Sequence, residues 1–130
     1  DVTIDVSNAT NLMVSGYKNE FMQTLLNVVN NAKEQIKEAR ENKLIKRGSI
    51  FIQIYNYSKK VIIDIKDNGG GIPIDKMPNI FDAYYTTKEQ GHGIGLYMSK
   101  LIIEDKMGGK IRASNTNEGA CFTITLGNVT

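Results

Sequence analysis

The feature that most constrains this chain is a helix with one apolar side. Phe21, Leu25, Val28, Ala32 and Ile36 recur at spacings of three and four, so a helix over Tyr17–Asn42 carries a single apolar stripe. The runs Ile50–Tyr57 and Val61–Lys66 alternate and are rich in β-branched residues, with Ser58-Lys59-Lys60 between them, which predicts a hairpin. Val2-Thr3-Ile4-Asp5-Val6 has the same alternation ahead of the helix. Asp67-Asn68-Gly69-Gly70-Gly71 breaks regular structure, and Pro73 is placed to open a short helix. Phe81 to Gln90 is aromatic, polar and irregular. Ile94–Met107 reads as a second helix with Leu96, Met98, Leu101, Ile102 and Met107 as core candidates, stopped by Gly108-Gly109. Lys110–Ser114 and Cys121–Leu126 read as strands around a turn at Asn117-Glu118-Gly119, and Gly127–Thr130 as a fraying end. Two main helices and several mostly hairpin-linked strands predict an α+β fold, a two-layer α/β sandwich with helices on one face of a mixed sheet.

Size and composition narrow the function. The 130 residues suit one domain spanning 1–130, and 41% hydrophobic with 23% charged residues is ordinary globular usage. Opening inside a strand suggests either a domain cut from a longer protein or a short chain that simply begins there. A formal net charge of +2 argues against nucleic-acid binding by counterion release. The lone Cys121 suits a reducing compartment and reads as a structural strand residue, so a cytoplasmic location is expected. No apolar run approaches the ~20 residues of a membrane-spanning helix. His92 is the single histidine, which closes mechanisms needing two.

Four segments could carry chemistry. Asparagine costs up to roughly 0.7 kcal/mol against alanine inside a helix, yet Asn27, Asn30 and Asn31 fall within five positions. Asn27 and Asn31 are i and i+4 at the border of the apolar stripe. They are either a solvated helix edge or amides lining a ligand site, where a neutral oxygen suits Mg²⁺ if phosphates supply the charge. Asp67 at a strand end, followed by glycines, could accept a hydrogen bond from a base amino group while the backbone approaches a flat ring; a plain turn is the other reading. Gly91-His92-Gly93-Ile94-Gly95 leads into a helix N-terminus, a site for phosphate or a flexible loop. It fits neither G-x-G-x-x-G nor the Walker pattern. Thr86-Thr87-Lys88 offers two hydroxyls and a point charge for a terminal phosphate, or is exposed loop polarity.

The order of these segments resembles the ATP-binding catalytic domain of sensor histidine kinases. Asn27-Val28-Val29-Asn30-Asn31-Ala32 resembles the N box, Asp67-Asn68-Gly69-Gly70-Gly71-Ile72-Pro73 the G1 box, and Phe81 with Tyr85-Thr86-Thr87-Lys88 the F box and lid entry. Gly91-His92-Gly93-Ile94-Gly95-Leu96 is similar to the G2 box and Gly119-Ala120-Cys121-Phe122 to the final glycine box. The resemblance covers nearly the whole chain and implies the Bergerat fold shared with gyrase, the related heat-shock chaperone and the mismatch-repair ATPases. It implies ATP and Mg²⁺ as cofactors. Asn31 would coordinate Mg²⁺ and Asn27 support metal and phosphates; Lys88 joins them as catalytic. Asp67 would bind the adenine amino group. Gly69, Gly71, Ile72, Phe81, Thr86, Thr87, Gly91, His92, Gly93, Ile94, Gly95, Leu96 and Thr123 complete the implied nucleotide contacts. The chain departs from the family at His92, often Thr, and at Glu34 and Gln35, where a basic and an aromatic residue are frequent; Lys33 lies on another helix face.

One position divides the chemistry. Hydrolytic members of the superfamily resemble one another in carrying Glu four residues before the metal-binding Asn, as a general base for water. Here that position is Asn27, and an amide cannot take the proton. Neutral imidazole already offers a lone pair, so transfer to histidine has less need of a base. The expectation is a kinase domain that phosphorylates a histidine on a separate dimerisation domain of its parent, itself possibly membrane-attached. The phosphate then passes to a response regulator. The isolated domain is expected to be monomeric. The alternatives are a serine kinase or anti-sigma factor, an ATPase of the same superfamily, or a non-catalytic nucleotide-binding module.

Overall fold

The apolar stripe becomes α1 (Lys18–Glu41), in which Val28, Ala32 and Ile36 are buried and Phe21 and Leu25 half-buried. Thr24 is also buried, its hydroxyl donating to the Glu20 carbonyl at 3.1 Å, so a polar residue completes the stripe without an unsatisfied group. The computed structural model describes residues 2–8, 17–83 and 95–127, with side chains for all of these except 5–8. The strands are β1 (Val2–Asn8), β2 (Gly48–Tyr57), β3 (Lys60–Asp67), β4 (Lys110–Asn115) and β5 (Ala120–Gly127). They form one sheet in the order β1-β2-β3-β5-β4, with β1 parallel to β2 and every other pair antiparallel. The mixed sheet and its covering helices are the two-layer sandwich expected from the sequence. Gly127, expected to fray, closes β5.

The core lies between the helices and one face of the sheet. Ile50, Val61, Ile63, Ile65, Ile111, Phe122, Ile124 and Leu126 meet Val28, Ala32, Ile36 and Ile103 there. No helix among the described residues is long and apolar enough to cross a membrane.

The second helix differs from a regular one. α2 (Gly95–Lys100) runs on as a π-helical stretch, Leu101–Lys106, and Met107 N–H closes on the Ile102 carbonyl five residues back. Gly108, at φ +67°, then ends it, and Gly109 N–H bonds the Ile103 carbonyl at 2.8 Å. Ile103 is fully buried although the 3.6-residue period did not select it, and Met98 is exposed although it did. Glu20 with Lys106 at 3.7 Å, and Lys106 over the Tyr17 ring at 5.7 Å, tie the end of this helix to the start of α1. Pro73 opens a hydrogen-bonded turn that leads into a 3₁₀ turn at Met77–Asn79.

The other sheet face carries the alternate residues of β2, β3 and β5. Thr123 stands here, its hydroxyl donating to Asp64 Oδ1 at 2.7 Å, with Tyr55 donating to Asp64 Oδ2 at 3.1 Å and Cys121 beside them. This corrects the expectation that Thr123 lines a nucleotide site with Asp67. Thr123 pairs with Asp64 in register, and Asp64 and Asp67 are of opposite parity on β3.

Two predictions follow from the sheet. The hairpin turns on Ser58 (φ 51°) and Lys59 (φ 62°), two non-glycine residues in the left-handed region where Asn-Gly is favoured. Ser58→Asn with Lys59→Gly is expected to raise stability by about 1 kcal/mol in urea unfolding; a lower midpoint would contradict the turn. Burial pushes the Cys121 thiol above its ordinary 9.0, against a weaker opposing pull from its hydrogen bond with Thr123. The native state holds that proton more tightly than the unfolded chain. Its stability contribution is present below about pH 9 and lost as pH rises through the raised native value. Alkylation at pH 8 should therefore run about tenfold or more slower in the native chain than in urea; equal rates would remove Cys121 from the sheet.

Candidate functional site

The two ends of the site are built on β3 and α1. Asp67 closes β3, on the same sheet face as Ile63 and Ile65, and is 5% exposed. Its Oδ1 accepts the Gly69 N–H at 2.8 Å and the Ala120 N–H at 3.3 Å. One carboxylate oxygen thereby holds its own turn and the first residue of β5. Gly119 packs directly on the Asp67 carbonyl, where a side chain has no room. Gly69 packs on α1, where an added Cβ would lie 2.9 Å from the Gln35 carbonyl carbon. The glycines at these two positions thus let three elements close on Asp67.

The rest of the 67–72 loop is held by residues that periodicity did not single out. Asn68 Oδ1 accepts the Ser49 N–H at 2.8 Å while its Nδ2 donates to the Arg47 carbonyl at 2.9 Å. Asn115 Oδ1 accepts the Ile72 N–H and its Nδ2 donates to the Ile72 carbonyl, both at 2.8 Å. Gly70 N–H reaches the Glu118 carbonyl at 3.2 Å. Gly71 takes φ +86° beside the Asn115 amide. The signal for Asn68 and Asn115 was available only as Asn beside a turn, since their partners are distant in sequence.

Asn27 and Asn31 are both half-buried on α1. Asn27 Nδ2 donates to the Gly95 carbonyl at 3.2 Å, and its Oδ1 accepts from Gln23 Nε2 at 2.9 Å. The fold therefore brings the asparagine-rich turn of α1 against the first residue of α2. Ser99, fully buried, donates to the same Gly95 carbonyl at 2.9 Å. Leu96 is half-buried against the core. Phe81 meets Phe122 edge-on, with ring centres 6.1 Å apart, and Lys100 Nζ lies 5.7 Å above the Phe81 ring. Phe81 is thus anchored to the sheet just before the lid entry predicted from the sequence.

Thr86, Thr87, Lys88, Gly91, His92, Gly93 and Ile94 lie outside the described residues. Thr123 is on the opposite sheet face from Asp67. Lys33 lines a separate hollow with Val2, Ile36, Lys37, Arg40 and Glu41. Among the described residues no three His, Cys, Asp or Glu side chains gather as a metal site. Asn31, half-buried on α1, carries a neutral amide oxygen of the kind a hard divalent ion accepts when phosphates supply the charge.

Comparison with known proteins identifies the family and the fold. The family model described as histidine kinase-, DNA gyrase B-, and HSP90-like ATPase matches residues 16–129. The signal transduction histidine-protein kinase AtoS of Escherichia coli (strain K12) is 40% identical over 105 residues, 80% of this chain and 16% of that protein. Sporulation kinase E of Bacillus subtilis (strain 168) is 35% identical over 109 residues, 83% of this chain and 14% of that protein. This chain therefore spans less than a fifth of the length of either relative. Among solved structures, the catalytic domain of histidine kinase ThkA aligns with a TM-score of 0.79 at 29% identity, covering 97% of this chain and 78% of that chain. A complex of ThkA with the response regulator protein TrrA aligns with a TM-score of 0.77 at 28% identity, covering 98% of this chain and 34% of that chain. The chain belongs to the histidine kinase-, DNA gyrase B- and HSP90-like ATPase family, as a nucleotide-binding domain of the sensor histidine kinase kind.

Proposed function

We propose that this chain binds ATP with Mg²⁺ and transfers the γ-phosphoryl group to a histidine on a separate helical dimerisation domain of its parent. A response regulator then takes the phosphate onto an aspartate. The observation that carries this reading is Asn27, an amide, at the point where α1 meets the start of α2. A glutamate there would serve as general base for water; an amide binds and orients but accepts no proton. Transfer to a neutral imidazole needs positioning and charge neutralisation more than a base.

The residues divide the work by place. Asp67 accepts a hydrogen bond from the adenine amino group at the closed end of the site, and the 69–72 loop lies along the ring. Asn31 holds Mg²⁺ through its amide oxygen, and Asn27 fixes the α1 side of the phosphate site. Mg²⁺, when bound, neutralises phosphate charge as the transfer proceeds. Gly95 begins the helix that receives the phosphates, and the sequence motif assigns Lys88, Thr86 and Thr87 to the terminal one. The single buried thiol suits a cytoplasmic setting. The kinship with a kinase solved together with its response regulator supports a regulator as downstream partner.

Base selectivity tests the reading. Guanine presents a carbonyl where adenine presents an amino group, so the Asp67 carboxylate would face an acceptor. The domain is expected to bind ATP about tenfold or more tightly than GTP by calorimetry. Asp67→Asn keeps an oxygen for Gly69 and Ala120 and should narrow that gap. Equal affinities in the unmutated domain would contradict the assignment.

A further inference from the structure

We infer that Gln23 is a positioning residue for the phosphate site: by donating to Asn27 Oδ1 it holds the Asn27 amide in the orientation that the Gly95 carbonyl requires. This rests on the nucleotide reading of Asn27 given above. The terminal torsion of asparagine has two broad, roughly equivalent wells, so the side chain alone does not choose between its oxygen and its nitrogen. The Gly95 carbonyl can only accept, which requires Asn27 Nδ2 on that side, and the distance is 3.2 Å. Asn27 Oδ1 then faces Gln23, whose Nε2 donates to it at 2.9 Å. Flipping the amide would break both bonds and set oxygen against oxygen at Gly95 and nitrogen against nitrogen at Gln23.

Gln23, Asn27 and Asn31 are spaced i, i+4 and i+8, so they follow one line along α1. Gln23 itself is exposed. An amide pair at i, i+4 adds only about 0.2–0.5 kcal/mol to a helix, too little to make stability its main effect. Its geometric consequence is larger. Ser99 already donates to the Gly95 carbonyl from within α2, whereas Asn27 is the group that reaches that carbonyl from α1. Orienting Asn27 therefore sets how the asparagine-bearing helix and the phosphate-facing helix start meet.

A double-mutant cycle tests this on the 130-residue chain, with Mg-ATP affinity measured by calorimetry and adenosine as the probe of the Asp67 end. Gln23→Ala is expected to weaken Mg-ATP binding about twofold. Gln23→Glu, the isostere without a donor, should weaken it more, and Gln23→Arg, which restores donors, should recover most of the loss. Adenosine affinity and the melting temperature should stay unchanged in all three. On an Asn27→Ala background, Gln23→Ala should add nothing. The same loss on both backgrounds, a parallel loss of adenosine binding, or full affinity in Gln23→Glu would overturn the inference and leave the nucleotide site standing. Unchanged Mg-ATP affinity in Asn27→Ala alone would instead overturn the nucleotide reading of α1, and this inference with it.

Discussion

The arrangement depends on one buried carboxylate oxygen. Asp67 Oδ1 takes the N–H of Gly69, at the break after β3, and the N–H of Ala120, at the start of β5. These bonds fix where the central hairpin ends relative to the last strand. They also aim the glycine loop at α1, which Gly69 can approach because it has no side chain. A buried carboxylate is costly unless it is hydrogen-bonded, so this position does not drift. The loop beyond it is then secured by Asn68 and Asn115 to β2 and β4. A rigid rim around an acidic group suits recognition of a flat ring, and it is made almost entirely of backbone and amides.

The opposite end of the site is held in another way. There the contact between α1 and α2 runs through side chains, chiefly Asn27 on the Gly95 carbonyl. Below it the two helices share the sheet through Val28, Ala32, Ile36 and Ile103. The apolar layer sets their separation, and the amide contact trims their relative position at the start of α2. Phe81, packed edge-on against Phe122, ties its turn to β5 of the sheet.

Much of this was legible in the sequence, and what was missed has physical causes. α1 was readable because five apolar residues shared one period, and the hairpin because β-branched residues alternated on both sides of a short turn. Thr24 escaped because its burial depends on a hydroxyl bonding back to Glu20, which no hydropathy pattern carries. Ile103 escaped because it shares its face with Leu96 and the fully buried Ser99, at i, i+3 and i+7, and hydropathy does not mark a buried serine. Asn68 and Asn115 act through partners many residues away. Thr123 was different. The alternation already seen at Cys121 and Phe122 puts Thr123 on the thiol's side of the sheet, so parity alone argued against its place beside Asp67. The asparagine pair, Asp67 and the glycine segments were recognisable by their order, because each has an ordinary turn or surface reading when taken singly.

The account's central claim is that this site holds ATP for transfer to a histidine elsewhere and does not activate water, because the residue between α1 and Gly95 is an amide. The most direct measurement supplies γ-labelled ATP with Mg²⁺ to the 130-residue chain, first alone and then with the proposed helical dimerisation domain. Alone, the chain should bind the nucleotide, release phosphate very slowly and carry no label. With the helical domain present, label should appear on a histidine of that domain. Rapid phosphate release by the chain alone, with no label transferred when the helical domain is added, would contradict the account and make the domain an ATPase.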